Sequence, residues 1–187
     1  MSTSTKVGIL HEASRMLLSK GLNGFSLQEL ALKLNIKKAS LFHHYPSKLD
    51  LAVELYRFYQ ASFLEWAQEN AHLSAEKQML AYVDKLTNWI CDKQRVCPVG
   101  ALSLEWQLVD PRLQVEIKKL HEIQKEWLTS LLKALQKENG LKVSVPEAAI
   151  GMMGLIQGSI QIARIIEDPN LAKKTLRSYL KSIKVEK

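Results

Sequence analysis

The chain has 187 residues, of which 47% are hydrophobic, and its formal net charge is +7. This length allows one or two compact units with a sizeable core, and the apolar content excludes an intrinsically disordered chain. The opening residues lack the apolar core of a secretory signal, and two cysteines do not make a disulfide framework. We therefore expect a cytoplasmic protein. We also expect no membrane partner, because no run approaches the roughly 18 apolar residues that cross a bilayer.

Positive charge is densest at the N-terminal end. Residues 1–50 carry seven Lys or Arg and three acidic residues, whereas residues 51–187 carry nineteen and sixteen. A basic surface beside DNA gains free energy from counterion release. A merely soluble basic face gives the same balance, so charge alone leaves both interpretations open.

The first two predicted helices are separated by a loop that ends at Ser26. The first covers about residues 5–20, and Gly21 ends it. The second begins after Ser26, because the Ser26 hydroxyl and the Glu29 carboxylate can form a reciprocal capping box. Its apolar face consists of four residues at helical spacing: Leu27, Leu30, Ala31 and Leu34. Asn35 then tolerates the left-handed backbone that a sharp turn requires.

A short third helix has the residue types of a helix that enters a DNA groove. Leu41 and Tyr45 lie one turn apart and can face inward, whereas the other positions carry cations, imidazoles and hydroxyls. Pro46 cannot continue this helix, and Ser47 with Asp50 can cap the next one. The whole segment therefore predicts a helix-turn-helix.

Residues 9–51 resemble the N-terminal domain of the TetR family of bacterial transcriptional regulators. The shared motifs are the Ile-Leu-x-x-Ala start, the Lys-Gly helix end, Phe-Ser-Leu before the second helix and Ser-Lys-x-x-Leu after the third. The chain departs from the family at two positions. Phe42 stands where the family usually has a tyrosine whose hydroxyl contacts a phosphate, and Asn35 stands where the turn usually has glycine. The first change removes one hydrogen bond to DNA, and the second is sterically acceptable.

The residues predicted to contact DNA lie on or beside the second and third helices. The lysines at the start of the third helix can reach phosphate or the acceptor edge of guanine, and a solvated pair is the alternative. Ser40 and His43 are candidates for base edges, while Phe42 can press on a sugar or a thymine methyl. One of the two adjacent imidazoles can instead pack against the domain. The resemblance makes Lys48 a phosphate anchor. The predicted set is Ser26, Gln28, Lys37, Lys38, Ala39, Ser40, Phe42, His43, His44 and Lys48.

The rest of the chain predicts an all-α fold, since almost no segment alternates with a period of two. The predicted helices are 48–71, 75–93, a sixth opening at Cys97-Pro98, 111–137, 144–167 and a ninth opening at Asp168-Pro169. Nine helices in this order match the architecture that the TetR resemblance implies. We expect a DNA-binding domain at residues 1–47 and an effector-binding and dimerisation domain at residues 48–187.

Glycines in the eighth predicted helix indicate a close packing seam. Three glycines at spacings of three and four share one face, although each costs a helix interior about 1 kcal/mol relative to alanine. TetR proteins pair their last two helices across a dimer, so the resemblance implies a homodimer. Close packing inside one subunit is the alternative. The predicted interface contains Gly151, Gly154, Leu155, Gly158, Ser159 and Ile162. A dimer would present two recognition helices to a palindromic DNA operator.

The resemblance also implies a cavity for a small-molecule effector that changes the separation of the recognition helices. The candidate wall residues are Phe58, Tyr82, Leu86, Trp89, Cys97, Leu104, Trp106, Trp127 and Met152. Plain core packing is the alternative for each of them. No charged cluster occurs among them, so we expect a mostly apolar effector.

Cys97 supports a second hypothesis. It would cap the predicted sixth helix beside Arg95, and both features stabilise a thiolate that could sense oxidants. Cys91 could then resolve it as a disulfide, whereas two buried, inert thiols are the alternative.

No catalytic arrangement, cofactor motif or metal site is predicted, because the adjacent His43 and His44 lack the i, i+4 spacing of helical ligands. We therefore expect a DNA-binding regulator and not an enzyme. By resemblance it is a repressor released by a small molecule. The alternative is a helix-turn-helix protein whose C-terminal bundle binds a protein partner or senses redox state.

Overall fold

The structure, a computed structural model, describes the backbone of residues 3–91 and 97–185 and the side chains of residues 6–88 and 97–185. These residues form eight α-helices, and the all-α prediction is confirmed. The helices are α1 Thr3–Lys20, α2 Leu27–Lys33, α3 Lys38–His44, α4 Lys48–Glu69, α5 Ala75–Cys91, α6 Pro111–Asn139, α7 Val145–Ile165 and α8 Leu171–Ile183. The extended pairing within the described ranges is one isolated antiparallel bridge between Leu141 and Lys184.

Local sequence signals set most helix ends. Gly21, Asn35 and Gly140 adopt φ values of 73°, 51° and 74°, in the left-handed region that ends a helix or turns the chain. Ser144 and Glu147 form the full reciprocal capping box at the start of α7. These ends agree with the sequence because each depends on residues only a few positions apart.

The predicted sixth helix is wrong. Residues 98–105 form turns and bends, and only Trp106–Leu108 forms a short 3-10 helix. Two side-chain hydrogen bonds accompany these turns. The Tyr56 hydroxyl donates a 2.7 Å hydrogen bond to the Pro98 carbonyl oxygen, and the Ser103 hydroxyl donates one of 2.9 Å to the Gly100 carbonyl oxygen. The predicted seventh to ninth helices are therefore α6 to α8.

The chain divides into two compact units. Met1–Ser62 with Pro98–Leu120 forms the first unit, and Phe63–Cys97 with His121–Lys187 forms the second. Helices α4 and α6 contribute residues to both units. This division by packing differs from the predicted division after residue 47, which remains a prediction about function.

The first unit has an apolar core with a polar network at its edge. Ile9, Leu30, Leu41 and Leu113 are almost completely buried, and burying such a side chain stabilises the fold by about 1.5–3 kcal/mol. Beside this core, Glu116 on α6 accepts a 3.0 Å hydrogen bond from the side-chain amide of Gln60 and forms ion pairs with Arg57 and Lys119. Helices α4 and α6 are thus joined by charge as well as by packing.

The second unit is built largely from α5, α7 and α8, which pack on one another. Lys173 on α8 forms a 2.6 Å ion pair with Asp84 on α5, and Lys184 pairs with Glu76 at the start of α5. Among the described helices, α7 is long and apolar enough to cross a membrane by length and composition. Core helices of soluble proteins share that property, and α7 buries seven residues within this unit.

Candidate functional site

The two short helices of the first unit pack as predicted. Leu27, Leu30 and Ala31 of α2 are buried, and so are Leu41 and Tyr45 at α3. The turn between the helices is closed by a 3.0 Å hydrogen bond from Ile36 N to the Ala31 carbonyl oxygen. The inward-facing residues thus hold α3 in place and leave its other face free.

The outward face of α3 carries most of the residues predicted to contact DNA. Lys37, Lys38, Ala39, Phe42, His43 and His44 are exposed, and Ser40 is half-buried. Lys38 Nζ donates a 3.3 Å hydrogen bond to Gln28 Oε1 on α2 and lies 5.4 Å from the centroid of the Phe42 ring. The rings of His43 and His44 meet edge to face, with centroids 5.3 Å apart. Lys38, Gln28 and Phe42 therefore form one preordered polar and aromatic surface.

The residues that flank this surface are held by specific hydrogen bonds. Ser26 caps α2 by accepting a 3.1 Å hydrogen bond from Glu29 N. The Glu29 carboxylate accepts a 2.8 Å hydrogen bond from Lys20 Nζ, and this contact lowers the pKa of Glu29. Lys48 Nζ donates a 3.0 Å hydrogen bond to the Phe25 carbonyl oxygen, at the end of the loop before α2. The backbone N–H of Ser26 also helps to lower the pKa of Glu29 by hydrogen bonding to its carboxylate, which is the second half of the predicted capping box.

The cations of the N-terminal fifty residues fall into two groups according to whether they form ion pairs with carboxylates. Within the described residues, four of them form ion pairs with carboxylates: Lys6, Arg15, Lys20 and Lys33. The remaining three, Lys37, Lys38 and Lys48, form no ion pair with any described residue. The unneutralised charge is therefore concentrated on α3 and the start of α4, which is the charge pattern of a surface that binds phosphate.

The second unit contains a compact aromatic cluster, formed by Phe63, Trp66, Tyr82 and Trp127. Each ring contacts the other three, with centroids between 5.3 and 6.0 Å apart and several pairs edge to face. Such pairs stabilise a core by about 0.5–1.5 kcal/mol beyond the area they bury. Lys85 Nζ lies 5.2 Å from the Trp66 centroid, and burial lowers the pKa of this lysine.

A small cavity of about 20 Å³ lies at one side of the aromatic cluster. Its walls are Tyr82 of α5, Gln124, Trp127 and Leu128 of α6, and Met153, Ile156 and Gln157 of α7. Helices α6 and α7 each supply residues at i, i+3 and i+4, which is one helical face. None of these described wall residues carries a charge.

Polar groups accompany the apolar side chains that line the cavity. The indole Nε1 of Trp127 is buried and makes no hydrogen bond within the described structure, a loss that costs about 1–3 kcal/mol. Burial raises the pKa of the Tyr82 phenol well above its usual range, and the nearby Cys97 adds to this rise. The phenol is therefore protonated at neutral pH.

Of the eight predicted effector residues whose side chains the structure describes, two line this cavity, Tyr82 and Trp127. Leu86 and Met152 are buried elsewhere in the second unit's core. Phe58, Leu104 and Trp106 belong to the first unit, where Phe58 packs on His11 and Leu104 is fully exposed. The side chain of Trp89 lies outside the described residues. A signal for the missed residues did exist, because Gln124 and Gln157 each interrupt an otherwise apolar helix face.

Cys97 is not the helix cap that the sequence predicts, since the residues after it form a turn. Its side chain is 3% exposed, and its sulfur accepts a 3.1 Å hydrogen bond from Gln157 Nε2. Arg95 and the side chain of Cys91 lie outside the described residues. The observed environment of Cys97 is thus a buried one beside the cavity.

The three glycines of α7 differ in their surroundings. A β-carbon at Gly151 would clash with the Tyr179 hydroxyl of α8, so this glycine has a role inside the subunit. Apart from the adjacent residues and the backbone of α7 itself, no described atom lies within 4 Å of a β-carbon built at Gly154 or Gly158. Ser159 is buried, and its hydroxyl donates to the Ile156 carbonyl oxygen, so it lies off the exposed face.

The exposed face of α7 is apolar around these glycines. Leu155 is half-buried, and the exposed apolar residues of this helix and its end are Ile150, Ile162, Ile165 and Ile166. Gly154 and Gly158 thus open onto an apolar surface with no contact inside the described subunit that explains them.

The fold and the first unit's surface define a helix-turn-helix DNA-binding transcriptional regulator. Residues 9–55 match the model of the bacterial regulatory proteins of the tetR family. An uncharacterized HTH-type transcriptional regulator from Lactococcus lactis subsp. lactis is 25% identical over 182 residues, which cover 90% of this chain and 87% of that protein. Residues 9–55 thus carry the N-terminal domain of the tetR family, whose regulators are DNA-binding proteins and not enzymes.

Solved structures share the whole fold. A TetR transcriptional regulator from Legionella pneumophila aligns with a TM-score of 0.85 at 24% identity, over 98% of both chains. One from Agrobacterium tumefaciens aligns with a TM-score of 0.86 at 24% identity, over 97% of this chain and 98% of that one. FadR from Bacillus subtilis, solved in complex with stearoyl-CoA, aligns with a TM-score of 0.72 at 14% identity, over 94% and 95% of the two chains.

Proposed function

We propose that this protein is a cytoplasmic homodimeric repressor, which binds a palindromic operator through α3 and is released by a small, mostly apolar effector. One observation carries the DNA-binding part. Of the cations in the N-terminal fifty residues, those without an ion pair among the described residues are Lys37, Lys38 and Lys48, all beside the exposed face of α3. Phosphate binding would use this charge, since each contact releases counterions.

In this proposal, residues in the middle and at the end of α3 contact the base edges. His43 and Ser40 offer hydrogen-bonding groups to base edges, while the ring of Phe42 takes an apolar contact. Phosphate contacts depend on the three lysines because Phe42 lacks a hydroxyl. Gln28 has a second role, since its side chain holds Lys38 from α2.

The exposed face of α7 supports the homodimer. Gly154 and Gly158 have open space above them inside the subunit, so their cost to the helix is offset only by a contact outside it. A second copy of α7 can approach closely there and cover Ile150 and Ile162. A two-fold dimer would also place two α3 helices on the half-sites of a palindrome.

The effector response is supported by the cavity of the second unit. Its aromatic and aliphatic walls suit an apolar ligand. The alternative is a C-terminal bundle that docks a protein or responds to oxidants through Cys97. The exposed isoleucines of α7 would support protein docking, and the thiol would support a response to oxidants. Burial of Cys97 restricts the access of oxidants, and the exposed glycine positions suit a second α7. Both observations favour the first proposal.

Selection of bound duplexes from a random-sequence pool tests the proposal. We expect a palindromic consensus whose half-sites lie about one helical turn apart or a multiple of it. A consensus without two-fold symmetry, or a monomer by light scattering at micromolar concentration, would contradict it.

A further inference from the structure

One residue that lines the cavity of the second unit has a buried side-chain donor with no hydrogen-bond partner among the described residues. Three buried side-chain polar atoms lack a hydrogen-bond partner among the described residues: Tyr45 Oη, Thr87 Oγ1 and Trp127 Nε1. Only the residue Trp127 lines the cavity, and two glutamine side chains share the wall with it. An indole N–H is a donor only, so only an acceptor can satisfy it, and a ligand oxygen in the cavity could supply one.

We propose that this cavity binds a small, uncharged aromatic molecule whose carbonyl oxygen accepts a hydrogen bond from Trp127 Nε1. The inference rests on the effector response proposed above and names the chemical class of its ligand. The indole of Trp127 and the phenol of Tyr82 form an aromatic wall, with their ring centroids 5.3 Å apart. A planar ring packs on such a wall with favourable offset or edge-to-face geometry.

The uncharged walls of the cavity disfavour a carboxylate or an ammonium ligand. None of the described wall residues is charged, and the Tyr82 phenol remains protonated because burial raises its pKa. A carboxylate or an ammonium in this cavity would lose its hydration without gaining a counter-charge. An uncharged carbonyl loses much less hydration and satisfies Trp127 Nε1.

The cavity is so small that its walls must move when a ligand binds. The cavity of about 20 Å³ has room for about one water molecule, whereas a cavity that holds benzene measures about 150 Å³. The walls must therefore move, and Met153 has the flexible, unbranched side chain that permits this. The packing of α6 against α7 then differs between the ligand-bound and ligand-free states. An effector can shift a conformational equilibrium only if it interacts differently with two such states.

Four small probes that differ only in charge and hydrogen bonding test the proposal on the full-length protein. They are benzamide, benzoate, benzylammonium and toluene. The readout is the nitrogen-15 NMR signal of the indole groups, and Trp127→Phe identifies the signal of Trp127. Benzamide should bind and move this signal downfield, because the N–H gains an acceptor. Toluene should bind without that shift, while benzoate and benzylammonium should bind at least about tenfold more weakly than benzamide.

The variant Trp127→Phe keeps an aromatic ring and removes the donor. It should weaken benzamide by about tenfold and leave toluene unchanged. Trp106→Phe, in the first unit, is the matched control and should change neither. If Trp127→Phe fails to fold, the contrast between benzamide and toluene in the unaltered protein still decides. Equal binding of benzoate and benzamide, no downfield shift with benzamide, or no binding by any probe would overturn the proposal.

A measurement of DNA release distinguishes a failure of this inference from a failure of the proposed effector response. If benzamide binds at Trp127 but does not weaken binding to the selected duplex, the site is correct and its role as an effector site is wrong. If a charged molecule releases the DNA without moving the Trp127 signal, the effector response is correct and the ligand class named here is wrong.

Discussion

Lys48 Nζ donates a hydrogen bond to the Phe25 carbonyl oxygen across 3.0 Å and lies 5.5 Å from the centroid of the Phe25 ring. The first residue of α4 is thereby tied to the loop that precedes α2. An ammonium group has three donors, so two remain after this contact. Lys48 can therefore hold the helix-turn-helix together and contact a phosphate at the same time.

Replacing Lys48 with methionine should weaken binding to all DNA sequences equally. The change keeps most of the side-chain volume and removes the charge, so the salt dependence of log K should flatten by about one phosphate contact. Fluorescence anisotropy with a random-sequence duplex over a series of salt concentrations measures this slope. Lys20→Met is the control, because Lys20 already pairs with Glu29. An unchanged slope for Lys48→Met would remove its role as a phosphate anchor.

Replacing His43 with alanine should change sequence preference more than overall affinity. Its imidazole is exposed on the face of α3 that the proposal places in the groove, and each lost base contact costs about 1–3 kcal/mol of discrimination. Selection from a random pool with wild type and variant gives the two consensus sequences. His72→Ala, in the second unit, should leave the consensus as it is. An identical consensus for His43→Ala would show that His43 does not read bases.

Replacing Gly154 with leucine should dissociate the dimer. Inside the subunit the new β-carbon would meet no described atom beyond the adjacent residues and the backbone of α7, so the monomer should fold normally. Against a second α7 it would keep the two backbones apart. Light scattering at micromolar concentration measures the mass, and circular dichroism checks the fold. Glu126→Leu, which adds an exposed leucine to α6, should remain a dimer. A dimeric Gly154→Leu would place the interface elsewhere.

The Glu116 network should make stability depend on acid pH. Burial alone would raise the pKa of Glu116, but hydrogen bonds from Gln60 and Lys119 and the charge of Arg57 hold this pKa below its usual value of 4.5. The ionised group is therefore stabilised in the native state. Its contribution is complete above pH 4.5 and is lost as the pH falls through the lower native pKa.

Glu116→Gln tests this network. It should lower stability at neutral pH by about 1–3 kcal/mol and flatten the loss of melting temperature below pH 4.5. Thermal unfolding over about pH 3 to 7 gives both values. Glu122→Gln is the control, because the Glu122 side chain is 53% exposed and pairs only with Lys125 among the described residues. Parallel pH profiles for wild type and Glu116→Gln would contradict the prediction.

Position 35, in the turn between α2 and α3, should tolerate glycine but lose stability with alanine. Asn35 has a φ of 51°, a conformation that costs a residue with a β-carbon about 1–2 kcal/mol. Asn35→Ala should therefore lose about that much stability, because alanine has no side chain to hydrogen-bond locally. Asn35→Gly should stay within about 0.5 kcal/mol of wild type. Urea unfolding measures both, and equal stabilities for the two variants would refute this account of the turn.

Most of the helix-turn-helix was predictable because its signals are local. Leu41 and Tyr45 face inward through simple helical periodicity, and Ser26 caps α2 through a contact three residues away. The same reasoning failed after Cys97. There the Pro98 carbonyl oxygen accepts a hydrogen bond from Tyr56, 42 residues earlier in the chain, and no local pattern reports such a partner.

The amino-acid sequence by itself determined the all-α class, most of the helix ends and the outward face of α3, since capping, turn conformation and periodicity act over a few residues. Only the tertiary structure decided which lysines have no carboxylate partner among the described residues, which glycine of α7 meets Tyr179, and which two of the eight described candidates line the cavity. Those outcomes depend on contacts between helices far apart in the chain. Packing and charge pairing between such helices are properties of the folded molecule.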